Sequence, residues 1–173
     1  GHRVPFIAHW PNVIQAGSKS DQTVCLTDLL ATVAELTGVP LAESAGEDSV
    51  SMLPYLRGHL ESPLREATVH HSAHGSFAIR KGPWKLIFGP GSGGWSEPRM
   101  RPKNNHLADL PQIQLYDLAH DLSEEHNLHD QHPEVVAELT ELMQSYIDKG
   151  RSTPGSPQAN VGATDIYFGQ KKK

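Results

Sequence analysis

The segment "TVHHSAHGSFAIRKGPWKLIF", residues 68 to 88, decides how this chain is read. Behind a cluster of three histidines, His70, His71 and His74, come two short runs, 77 to 81 and 84 to 88, separated only by Gly82-Pro83. With residues 67 to 72 they make three strand candidates rich in β-branched or aromatic residues and parted by Gly or Pro. Such short separations predict an antiparallel meander. A fourth candidate, 113 to 118 in "IQLYDL", follows after "GPGSGGWSEPRMRPKNNHLADLPQ". A loop of that length inside a compact domain is usually functional or disordered, and we expect the first.

Downstream, "HPEVVAELTELMQSYIDKG" reads as a long amphipathic helix. Pro133 suits its first position, Gly150 ends it, and Val135, Val136, Leu139, Leu142, Met143, Tyr146 and Ile147 form one apolar stripe that should cover a sheet. The remainder, 151 to 173, is polar and rich in Gly and Pro, and reads as a surface tail. Upstream, "TDLLATVAELTG" carries Leu29, Leu30, Val33 and Leu36 at helical spacing, with Thr27 as expected N-cap, Asp28 favoured by the helix dipole and Gly38 as the stop. A short helical turn is expected around Met52 to Leu56. Val4, Phe6, Ile7 and Ala8 read as a buried strand, so the chain opens like the middle of a protein.

At 173 residues the chain can bury on the order of 70% of its unfolded surface. A net charge of −5 offers no basic face for nucleic acid, and Lys171-Lys172-Lys173 is too short a tract to provide one. No apolar run is long enough to span a bilayer, and residues 1 to 11 lack the form of a signal peptide. The single Cys25 excludes an intrachain disulfide and any multi-cysteine metal site.

The chemistry of individual residues is mostly bland. His70 and His71 point to opposite faces of a strand, so at most one joins His74, and no H-E-x-x-H arrangement is present. Ordinary polar strand-end histidines, or the lining of a pocket, therefore outrank a metal site. Cys25 has no adjacent His or Arg in sequence to lower its pKa and reads as a structural thiol. Asp117, Asp121 and the Glu124-Glu125-His126 stretch read as turn chemistry rather than cation ligands, because no regular spacing of oxygens is present. "GPGSGG" lacks the Gly-Lys-Ser/Thr ending of a phosphate cradle and reads as a flexible lip, on which Trp95 either packs down as an anchor or offers a flat face to a sugar.

Taken in order, "GHRVPFIAHWP", "TDLLATVAELTGVPL", "SFAIRKGPWKLIF", "LYDLAHDLSEEHNL", "HPEVVAELTELMQSYIDKG" and "GRSTPGSPQ" resemble the C-terminal portion of arylsulfatase A-like enzymes of the sulfatase family, over about residues 1 to 160. The resemblance implies an alkaline-phosphatase-like α/β fold. Residues 1–60 would end its large domain, 61–150 would form a four-stranded antiparallel sheet packed by one long C-terminal helix, and 151–173 a tail. It also implies hydrolysis of sulfate esters of aryl or carbohydrate substrates. The cofactors would be calcium and a formylglycine made from the first residue of C/S-x-P/A-x-R, whose hydrated aldehyde attacks sulfur while metal and cations stabilise the oxygens.

Here "CLTDL" at Cys25, "SPLRE" at Ser62 and "STPGS" at Ser152 all depart from that pattern, so the nucleophile, the calcium ligands and the active-site lysine are expected upstream of Gly1. Leu122 stands where the family usually has proline. By the same resemblance the partners are the N-terminal catalytic part of the enzyme and a sulfated small molecule or glycan. His70, His71, His74 and Trp95 would rim the pocket with no catalytic role, and the location would be periplasmic, secreted or lysosomal. Two rival readings remain: a free-standing module that binds sulfated glycans or a partner, and a transition-metal protein built on some of the 11 histidines.

Overall fold

The structure is a computed structural model, described here for residues 4–59, 61–73, 75–98, 109–162 and 164–167. Its elements run α1 (Asp28–Thr37), α2 (Leu53–Leu56), β1 (Thr68–His71), β2 (Phe77–Lys81), β3 (Trp84–Phe88), β4 (Gln114–Asp117) and α3 (Pro133–Lys149). Two compact units result. One holds the described residues up to Thr68 with Lys149–Ala159, the other Val69–Asp148 with the described residues from Asn160 onward.

In the second unit the four strands lie in chain order β1-β2-β3-β4, with β2·β3 antiparallel, as the short Gly-Pro separation predicts, and β3·β4 antiparallel across the long loop. The register puts Ile79, Leu86 and Leu115 in one row across three strands, all fully buried with Phe88 beside them. Each such side chain stabilises the fold by about 1.5–3 kcal/mol. Lys81 and Trp84 continue that face, and both reach the long helix: Lys81 Nζ lies 2.9 Å from Glu138, and the Trp84 and His132 rings are 4.9 Å apart. The helix therefore covers this face, with Leu139 and Met143 buried beneath it. All seven residues of the expected stripe are buried or half-buried.

The outer edge of β4 is closed by a short return of chain. Asn127 Oδ1 accepts from Leu115 N at 2.9 Å, its Nδ2 donates to Ile113 O, and Leu128 N donates to Leu115 O. An edge strand covered in this way cannot template pairing with another chain.

The first unit corrects three expectations. Val4, Phe6, Ile7 and Ala8, expected as a buried strand, lie in neither strand nor helix, and Ile7 is 90% exposed. The helix at 28–37 forms, but Leu29, Leu30, Val33 and Leu36 face solvent while Asp28 and Thr32 are buried. Periodicity fixed the stripe but not what covers it, and here nothing among the described residues does. Thr27 makes no side-chain cap. Ser49 Oγ instead accepts from Ala31 N at 2.8 Å and donates to Thr27 O, so a residue more than a turn away in sequence satisfies the helix start. The stop behaves as expected: Gly38 N bonds to Glu35 O and Val39 N to Ala34 O, the paired pattern of a Schellman end.

The stretch 151–173, read above as a tail, carries two buried side chains, Arg151 and Ile166. Arg151 donates to Glu43 Oε1 and Ser156 O, both at 3.0 Å, and Thr153 Oγ1 donates to Glu47 O.

Candidate functional site

The β1–β2 turn is built around one serine. Ser72 N donates to Ser76 O at 2.8 Å, Gly75 N to Ser72 O, and Ser76 N to Ser72 Oγ at 3.0 Å. His70 and His71 close β1 just before it. His70 is half-buried and His71 exposed, with its Nδ1 3.1 Å from Ser72 O. His74 lies outside the described residues.

The glycine-rich loop leaving β3 comes to this same turn. Gly93 is buried against Ser72, at φ +63°, and a Cβ on it would stand 2.7 Å from both Cβ and Oγ of that serine. Gly89 lies against Ser76 in the same way, where an added Cβ would meet its Oγ at 3.1 Å. Only glycine allows backbone to approach a side chain this closely with φ positive. Ser92 then closes the loop on itself, its N donating to Pro98 O at 2.8 Å and its Oγ to Ser96 O. Trp95 stands between these anchors, 81% exposed. Two segments read separately in sequence, the histidine turn and the glycine-rich lip, are thus neighbours. Trp95 does not pack down on the described residues of this chain.

The acidic residues between β4 and α3 act as turn builders. Asp121 accepts from Glu125 N at 3.1 Å and His126 N at 2.8 Å, and those amides hold its pKa below the usual aspartate range. Asp117 is lowered chiefly by its bond to His120 Nδ1, 2.7 Å away, and also accepts from Ala119 N. Glu124, with φ +60°, reaches back to Lys85 Nζ at 2.8 Å, an ion pair whose side chains are 18% and 6% exposed. Cys25 is half-buried, and burial pushes its thiol pKa up, away from nucleophile behaviour. Among the described residues no group of three or more His, Cys, Asp or Glu side chains is arranged to hold a metal ion, and no helix is long and apolar enough to cross a membrane.

No family model matches the chain. Individual proteins do. The chain is 37% identical over 150 residues to an N-acetylgalactosamine-6-O-sulfatase of Bacteroides thetaiotaomicron, covering 84% of this chain and 27% of that protein. It is 31% identical over 152 residues to an ulvan-active sulfatase of Formosa agariphila, covering 74% of this chain and 29% of that one. A solved structure from glycosaminoglycan metabolism in Bacteroides thetaiotaomicron superposes with a TM-score of 0.51 at 37% identity, over 68% of this chain and 24% of the other.

The chain belongs to the sulfatase family. A second solved structure, in complex with its substrate D-glucosamine-2-N,6-O-disulfate, matches with a TM-score of 0.56 over 79% of this chain and 26% of its own, at 22% identity, a likeness of fold alone. The meander and its covering helix are thus part of an alkaline-phosphatase-like fold. This sulfatase chain spans roughly a quarter of the length of the relatives it matches.

Calcium and formylglycine do not fit the described residues of this chain. Cys25 lies beside Asp28, whose carboxylate is already engaged by Cys25 N, Val50 N and Arg65. Asp117, Asp121 and Glu124 are committed to turn amides, His120 and Lys85. No step of sulfate chemistry is therefore assigned to them. Sequence reasoning picked out the histidine turn and the glycine-rich lip but not their contact. The signal was the second half of "GPGSGG", which marks a close backbone approach without saying to what.

Proposed function

We propose that this chain is the C-terminal part of a sulfatase that hydrolyses sulfate esters of aryl or carbohydrate substrates once joined to an N-terminal part carrying the formylglycine and calcium. The observation that carries this reading is the number of solvent-facing apolar side chains within residues 4–41. Phe6, Ile7, Leu26, Leu30, Val33 and Val39 are all 45% exposed or more. So many exposed apolar side chains within one stretch of sequence suit an interface. The relatives are more than three times as long and this chain matches only about a quarter of each, which supports the remainder of the enzyme as the occupant.

Within that enzyme, His70, His71, His74 and Trp95 line the pocket rim. Imidazoles donate to or accept from a polyhydroxylated, sulfated ligand, and the exposed indole stacks on the apolar face of a sugar ring. The matched Bacteroides protein is named for N-acetylgalactosamine 6-sulfate, which makes that sugar the first probe. We take the joined enzyme to work in the periplasm, a secreted fluid or a lysosome, as the family resemblance implies.

The test compares two proteins with 4-nitrophenyl sulfate and with 6-O-sulfated N-acetylgalactosamine, calcium present. One is this chain alone. The other is the Bacteroides relative with its matching region replaced by this chain. The isolated chain is expected to be inert and the chimera to turn over at least one substrate. Turnover by the chain alone, or a cooperatively folded chimera inert to both, defeats the reading. A monodisperse, cooperatively melting chain with no dye-binding surface supports a free-standing module instead.

A further inference from the structure

We propose that Gln114, braced by Tyr116, is the positioning residue that holds the glycine-rich loop, and with it Trp95, in place for stacking on a sugar ring. The proposal rests on reading Trp95 as part of a substrate rim.

Gln114 opens β4 opposite Ile87, one step before β3 gives way to the loop. Its single amide group serves two loop carbonyls, Nε2 donating to Gly89 O at 2.6 Å and to Gly91 O at 2.9 Å. Both amide hydrogens are thereby used, and the remaining Oε1 accepts from Tyr116 Oη at 2.8 Å. This pattern fixes the side-chain orientation, since a flipped amide would aim oxygen at two carbonyls. The Tyr116 side chain is buried, and burial raises its pKa, so the hydroxyl remains a donor throughout the neutral range.

The loop is thus held from below by Gln114 and from the side by Ser72 and Ser76 against Gly93 and Gly89. An indole that is 81% exposed while its loop is fixed at several points is preorganised. A ligand stacking on it spends little of its binding free energy on ordering the loop. Freed of the clamp, a segment with glycines at 89, 91, 93 and 94 would sample many conformers, and the platform would have to be re-formed at each binding event.

The experiment uses the whole chain and the variants Gln114→Met, Tyr116→Phe, Trp95→Ala and Gln114→Met/Trp95→Ala. Amide hydrogen exchange is measured over residues 89–96, and affinity is measured by titration with 6-O-sulfated N-acetylgalactosamine up to tens of millimolar. Gln114→Met is expected to speed loop exchange by about tenfold and to weaken binding by about fivefold. Tyr116→Phe, which leaves Gln114 in place and guards against a misfolded first variant, should do the same to a smaller degree. In the Trp95→Ala background Gln114→Met should leave affinity unchanged, a non-additivity that a merely structural role does not produce. Unchanged loop exchange in Gln114→Met overturns the positioning role alone. Full affinity in Trp95→Ala, or no binding by the unaltered chain, overturns the rim reading and the positioning role with it.

Discussion

Asp28 and Arg65 form a buried ion pair, their side chains only 3% and 8% exposed, at the point where α1 begins. The same carboxylate accepts from Cys25 N at 2.8 Å and Val50 N at 3.0 Å, so one side chain ties together three segments of the first unit. A buried charge with all its acceptor sites engaged is costly to leave unpaired. Arg65→Ala should therefore destabilise the fold by about 3 kcal/mol, and Asp28→Ala by a similar amount. The Asp28→Ala/Arg65→Ala double variant should lose less than the sum, measured by urea denaturation. Additive losses would mean that the two residues act separately.

The apolar stripe of α1 gives the opposite expectation. Leu30 and Val33 are 50% and 52% exposed, so Leu30→Lys/Val33→Lys should change stability by no more than about 0.5 kcal/mol per site. The pair should, however, remove much of the hydrophobic-dye fluorescence of the isolated chain and its tendency to self-associate. A large stability loss would show that this face is already covered.

Gly150 ends α3 at φ +63° with the carbonyl of Gln158 lying directly over it, while Gln158 N donates to Lys149 O at 2.8 Å. Gly150→Ala meets both an unfavourable backbone region and a backbone atom that cannot swing aside. A loss of about 2 kcal/mol or more is expected from thermal or chemical unfolding. Gly162→Ala, with open space around it, is the control and should be near neutral.

Asp121, with Asp117, Glu43 and Glu134, contributes to the pH dependence. Its folded pKa is depressed by the His126 and Glu125 amides, so its contribution is complete above the unfolded aspartate value and is lost as pH falls through the lower folded one. Melting temperature should decline on acidification below about pH 4, and Asp121→Asn should flatten that decline while lowering the plateau near neutrality. An unchanged acid limb in the variant would refute the assignment.

Trp95 separates folding from binding. With 81% of its surface exposed, Trp95→Ala should shift stability by no more than about 0.5 kcal/mol. In the chimera it should raise KM for a sulfated sugar more than it lowers kcat, because on the proposed reading the indole would stack on the ring and not touch the reacting ester.

The sequence by itself determined the elements. Strands at 68–71, 77–81, 84–88 and 114–117 and helices at 28–37 and 133–149 are set by local signals: Gly and Pro between short β-rich runs, Pro133 and Gly150 at the ends of a periodic stripe, Gly38 after another. Those signals act over a few residues, so they are legible without the fold. Tertiary structure alone decided which surfaces meet. It turned α1 so that Asp28 and Thr32 are inward while the leucines face solvent, supplied Ser49 in place of a Thr27 cap, and brought Gly93 onto Ser72 with Gln114 beneath the loop. The physical reason is that a hydrophobic period says a side chain seeks cover without naming the cover, and a glutamine's two donors reveal nothing until the backbone delivers two carbonyls to them.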